Sequence, residues 1–183
     1  MEKKYDVITY GRSSIDLYSA DIGAEFTDIT AFNAYVGGSP LNIAVGTRRL
    51  GLHSALITGV GEDQVGDFLI KFLREEDVET RFIARKSGAR TSAVILGIQP
   101  PDRFPLVYYR ENCADSQVNI DDVIAAQVGA SRLFEISATA LNKEPTRSAG
   151  FFAAEEAGRH GVPVLVDLDF RADQWHDARA FGI

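Results

Sequence analysis

A single cysteine, Cys113, is present among 183 residues, so no intrachain disulfide can form. Histidine is nearly as scarce. His53, His160 and His176 are scattered without metal-ligand spacing, which speaks against a zinc site and leaves no residue assigned to a metal. Positive charge is in deficit: 19 Lys and Arg face 26 Asp and Glu, a formal net charge of -7. A surface built for nucleic acid or anionic lipid draws most of its affinity from a basic patch, so neither partner is expected. There is no charged-then-apolar leader and no long apolar run, which makes the cytoplasm the expected location. No linker, repeat or low-complexity tract is visible, and no boundary between independent domains can be placed.

What is present is a composition able to bury a sizeable core, 45% hydrophobic and 25% charged. "YDVITYG" (residues 5–11) and "SALITGVG" (54–61) read as short apolar strands ending at glycine. Val65, Phe68, Leu69, Phe72 and Leu73 fall at i, i+3, i+4, i+7 and i+8, the apolar stripe of a helix lying on a sheet. The alternation recurs as the strand "RLFEIS" (132–137), a helix over 145–161, and the run "VPVLVDLDF" (162–170), which has the pattern of a strand buried on both faces. Residues 121–128 add a short helix. Between them, "RTSAVILGI" and "RFPLVYYRE" flank the turn composition "QPPD" and read as an antiparallel hairpin, as do "DLYSAD" and "FNAYVGG". The expected architecture is α/β, a parallel core with a small β excursion that could serve as a lid.

The stretch "VGGSPLNIAVGTRRLG" (36–51) carries the densest signal. Ser39 suits a helix N-cap, Pro40 the first helical position, and Gly51 a left-handed terminator. Gly37 and Gly38 lack side chains, so a ligand could approach their amides and the positive end of the helix. Asn42 adds an amide that both donates and accepts, a combination suited to a polyhydroxylated ligand. The alternative is a plain tight turn.

With "GGSPLNIA" (37–44), a glycine at 51 and another at 61, the pattern resembles the first signature of the ribokinase-like, or PfkB, family of carbohydrate kinases. Asp16 in "GRSSIDL", "GEDQVG" (61–66), "VYYREN" (107–112) and "DLDFRADQW" (167–175) are similar to further family elements and follow in the family's order. The resemblance implies a three-layer α/β/α fold with a mainly parallel sheet and a small β-sheet lid, its strands drawn from about 16–36 and 91–111. Residues 1–183 would form the N-terminal part of one kinase domain, with the C-terminal part of the fold missing. It implies ATP and Mg2+ as cofactors and a homodimer joined through the lid.

Within the family, "YYR" and "DxDxR" with a nearby tryptophan resemble kinases of keto-deoxy sugar acids, and the resemblance of "YVGGSPLNIAVG" and of the aspartate in "LDFR" implies 5-dehydro-2-deoxygluconate as substrate, with 2-dehydro-3-deoxygluconate as the alternative. Arg110 and Arg171 suit a substrate carboxylate or a transferring phosphoryl group. By this resemblance Asp16, Gly37, Gly38 and Asn42 hold sugar hydroxyls, and Tyr109 and Arg110 close from the lid. Arg171 lies between sugar acid and ATP and positions the phosphate. Asp169 stands near the phosphates where many relatives carry asparagine, and strand-end packing accounts for Asp167. The family's second signature, a "GAGD"-type turn with the catalytic aspartate, is absent, so these 183 residues alone are expected to bind poorly and to lack turnover.

Two other classes fit less well. For a dinucleotide-binding oxidoreductase, the third glycine of G-x-G-x-x-G after Gly59 and Gly61 falls on Gln64, although Glu79 is suitably placed downstream. A Walker A loop is absent. A non-catalytic sugar-binding or dimerising remnant is the remaining alternative.

Overall fold

The computed structural model describes residues 3–170. Nine strands and four α-helices follow in the order β1 (Tyr5–Tyr10), β2 (Ser14–Ser19), β3 (Phe32–Gly37), α1 (Ser39–Arg49), β4 (Ser54–Gly61), α2 (Gln64–Glu75), β5 (Ile83–Lys86), β6 (Ser92–Leu96), β7 (Leu106–Tyr109), α3 (Ile120–Ala126), β8 (Ser131–Ser137), α4 (Thr146–Arg159) and β9 (Val164–Asp167).

The main sheet has the order β5-β4-β1-β8-β9 and is parallel throughout. Alternating side chains divide its two faces. Ile8, Tyr10, Phe134 and Ile136 pack with Val123 and Ala126 of α3 and with Ala149, Ala153 and Ala157 of α4. On the opposite face Leu56 and Val60 pack with Leu41 and Ala44 of α1 and with Leu69 and Leu73 of α2. Helices on both faces of a parallel sheet give three layers.

The helix limits have local causes. Asp63 caps α2, its carboxylate accepting the Gly66 N–H at 2.8 Å. Asn119 and Asp122 exchange side-chain-to-backbone bonds across the start of α3, a capping box. Helix α4 approaches the sheet closely because its buried positions are small: a Cβ on Gly150 would lie 2.9 Å from Ile136 Cδ1.

The second sheet has the order β3-β2-β6-β7, with β2 antiparallel to β3, parallel to β6, and β6 antiparallel to β7. It leaves the main sheet just after β1. Both hairpins read from the turn composition are present in it.

Two expectations change. Ser39 is not an N-cap; Gly38 occupies that position at φ +110°, and Ser39 begins the helix with its hydroxyl donating to Asp167 Oδ2, so Pro40 stands second in the helix and not first. The run 162–170 is not buried on both faces either. Strand β9 is the sheet's edge among the described residues and pairs only with β8, so Val164, Leu165 and Val166 are 39%, 50% and 48% exposed.

Candidate functional site at the carboxyl ends of the parallel strands

From β1 the chain goes outward to β4 and β5 on one side, then returns to place β8 and β9 on the other. The reversal lies between β1 and β8, and open α/β sheets bind ligands outside the strand carboxyl ends at such a point. The N-terminus of α1 sits there. Gly11, at φ +147°, follows β1, and a Cβ on it would lie 3.1 Å from Pro40 Cγ and 3.2 Å from Ser137 Cβ.

Asp16 enters from β2. Its carboxylate lies over Gly37, whose missing Cβ would fall 2.1 Å from Asp16 Oδ2. Gly37 is therefore bare to admit a carboxylate, and Gly38 to let the chain cross Arg12, whose carbonyl oxygen is 2.2 Å from that residue's absent Cβ. Asp16 is held from below: Ser14 Oγ donates to Asp16 Oδ1 at 2.7 Å and accepts from Arg12 Nη1 at 2.9 Å. The Arg12 guanidinium also lies over the Tyr108 ring, 5.4 Å from its centroid. Burial raises the Asp16 pKa above its ordinary value, while the Ser14 hydrogen bond and the Arg12 charge oppose that rise.

Asn42 lies in the first turn of α1, exposed, its backbone N–H donating to Gly38 O at 2.9 Å. Asp16, Gly37, Gly38 and Asn42 thus share one corner. Tyr109 is an exposed ring on β7. Arg110 is engaged elsewhere: Nε donates to Asp115 Oδ2 at 2.7 Å and Nη1 to Thr139 O at 3.2 Å. Both partners of the Arg110–Asp115 pair are buried, at 11% and 0% side-chain exposure. Asp169 follows β9 with φ +23°, its N–H donating to Asp167 Oδ1 at 3.2 Å. Arg171 lies outside the described residues.

Sequence reasoning missed four side chains around this end of the molecule. Arg12 and Ser14 stand inside "GRSSIDL", where only the aspartate drew notice. Asp115 gave no signal, because its pairing with Arg110 depends on how the chain turns after β7. Glu135 did give one: it is a carboxylate set among Leu133, Phe134 and Ile136, and it is fully buried, with neither oxygen hydrogen-bonded among the described residues.

The sequence and the fold are similar to those of known sugar kinases. A 5-dehydro-2-deoxygluconokinase of Geobacillus thermodenitrificans (strain NG80-2) is 38% identical over 183 residues, which cover 100% of this chain and 54% of that protein. A protein of the same name from Clostridium beijerinckii is 34% identical over 182 residues, 99% of this chain and 54% of its own length. The chain spans about half the length of the curated relatives it matches. Among solved structures, a 2-dehydro-3-deoxygluconokinase of Thermotoga maritima superimposes with a TM-score of 0.84 at 27% identity, covering 92% of this chain and 52% of that one. An ATP-bound fructokinase of Xylella fastidiosa gives a TM-score of 0.84 at 25% identity over 95% and 55%. The pfkB family carbohydrate kinase pattern matches residues 4–181, and the chain belongs to that family.

Proposed function

We propose that the gene product is an ATP-dependent carbohydrate kinase acting on a keto-deoxy sugar acid, 5-dehydro-2-deoxygluconate ahead of 2-dehydro-3-deoxygluconate. The observation that carries the sugar side is the buried Asp16 carboxylate, fixed over Gly37 beside the exposed Asn42 at the topological switch point. A carboxylate so placed accepts from two vicinal hydroxyls, and the Asn42 amide adds a donor and an acceptor for a polyhydroxylated ligand. The choice of sugar acid draws support from the names of relatives 38% and 34% identical along this chain.

In this reading Gly37 and Gly38 contribute backbone to the sugar site, Tyr109 covers it from the second sheet acting as a lid, and Asp169 lies toward the phosphates. Arg110 and Arg171 supply cations for the acid group and the transferring phosphoryl group. For Arg110 this requires sharing the guanidinium with Asp115. Mg2+ enters as part of the MgATP co-substrate. Phosphoryl transfer is positioning plus charge neutralisation. The described residues supply positioning on the sugar side.

The lid also offers a face for a second copy. Phe32, Tyr35, Leu106, Val107 and Tyr109 are exposed on its strands, which favours a homodimer joined there.

The test is a binding titration with the sugar acid. Asp16→Ala and Asn42→Ala should each weaken affinity several-fold, since a ligand hydroxyl loses a partner at about 0.5 to 1.5 kcal/mol. Unchanged affinity in both variants would return the "GGSPLN" segment to an ordinary turn.

A further inference from the structure

Glu135 sits in the middle of β8, its backbone in register with Thr9 of β1 and Leu165 of β9. Its neighbours Phe134 and Ile136 face α3 and α4, so Glu135 faces the other layer. There Leu56, the register partner of Thr9 on β4, packs with Leu41 and Ala44 of α1. The carboxyl is therefore enclosed on the α1 side of the sheet. It has 0% exposure, and among the described residues neither oxygen has a hydrogen-bond partner. A buried carboxylate without partners is costly, so such a group keeps its proton or draws in water.

The groups that act on it are few. From β9 and the turn after it come Asp167 and Asp169, both anionic; from β1 comes the Tyr10 backbone N–H, which offsets part of the penalty without completing a bond. The Thr9 hydroxyl is turned away to the Ala55 carbonyl. No cation among the described residues acts on it. Asp167 in turn accepts the hydroxyl of Ser39, the first residue of α1, so its negative charge faces the positive end of that helix.

We infer that Glu135 and Asp167 form a proton-controlled latch under α1: with Glu135 neutral, Asp167 ties down the first turn through Ser39, and ionising Glu135 releases that turn. The reason is electrostatic. A second negative charge beside the half-buried Asp167 repels it and requires solvent, which loosens the contact that Asp167 makes with Ser39. Burial, then the Asp167 charge, raises the Glu135 pKa from 4.5 to about 8, so release falls just above neutrality.

The sign follows from the folded pKa lying above the unfolded one. Between about pH 4.5 and 8 the unfolded chain loses this proton and the folded chain keeps it, so the unfolding equilibrium constant rises about tenfold per pH unit from this group and levels off above 8.

Three readouts on the 183-residue chain test the latch. The 13C resonance of the Glu135 carboxyl, assigned by its loss in Glu135→Gln, should titrate near pH 8; a midpoint in the ordinary carboxylate range overturns the proposal. The Asn42 amide, bonded to Gly38 O, should lose hydrogen-exchange protection by about tenfold from pH 6 to 7 after correction for intrinsic exchange, and the loss should level off above pH 8. Glu135→Gln should abolish that loss, and a wild-type protection that ignores pH overturns the release step. If Glu135→Gln fails to fold, Asp167→Asn serves instead: removing the neighbouring charge should lower the Glu135 midpoint, and an unmoved midpoint refutes the coupling. A parallel fall of sugar-acid affinity above pH 8 rests on the functional reading above, whereas the resonance and exchange measurements do not.

Discussion

At the scale of single residues, the glycine pair before α1 shows how a motif can have a structural cause that its sequence does not state. Bare amides open to a ligand are the natural reading of "GGSPLN". The structure spends the space otherwise: Asp16 occupies what would be the Gly37 side chain, and the Arg12 carbonyl what would be that of Gly38. Gly37→Ala should therefore displace the Asp16 carboxylate and weaken sugar-acid binding as Asp16→Ala does. Gly38→Ala forces a left-handed backbone and a clash with main chain, at a cost of order 1 to 3 kcal/mol in urea denaturation. Stability within about 0.5 kcal/mol of wild type, the range of a neutral surface change, would contradict the crossing at Arg12. Asp16 and Asn42 were legible because motif spacing places them. Arg12, Ser14 and Asp115 were not, since a polar side chain chooses its partner only once distant strands meet.

At the scale of elements, periodicity located the strands and helices because each buries one face or both. The parallel strands β1 and β4 needed nothing beyond their own residues, whereas the stripe on α2 was only partly right: Leu69 and Leu73 are buried with Gly66 and Ile70, and Phe68 is exposed. Ends and edges did need more. A serine before proline reads as a cap, yet the chain must cross Arg12 at Gly38, and this moves the start of α1. The apolar run of β9 reads as central, yet one strand neighbour leaves its side chains half exposed. Arg110 illustrates the same dependence. It ends the β7 segment and reaches Asp115 and the carbonyl of Thr139 beyond β8, joining second sheet to main sheet. Arg110→Ala should leave Asp115 buried and uncompensated, a loss of about 3 to 5 kcal/mol seen as a lowered midpoint in chemical denaturation. A stability loss under about 1 kcal/mol would mean that Arg110 is held for a ligand and not for the fold.

At the scale of the whole molecule, a five-stranded parallel sheet between two helical layers carries a four-stranded sheet beside its carboxyl end. The candidate sugar site lies where the two meet. Apolar side chains remain exposed on the second sheet and along β9, with Leu165 at 50% and Tyr109 at 58%. Unpaired apolar edges invite association. In light scattering coupled to size exclusion, the 183-residue chain should run larger than its 20.0 kDa monomer across a concentration series, and Leu165→Lys should reduce that association. A wild-type monomer at every concentration would show that these faces do not associate. The central claim concerns the reaction, and substrate discrimination tests it most directly. The full-length gene product, assayed with MgATP and a coupled ADP readout, should phosphorylate 5-dehydro-2-deoxygluconate with a higher kcat/KM than ribose or fructose. Equal or better turnover of either neutral sugar would contradict the account.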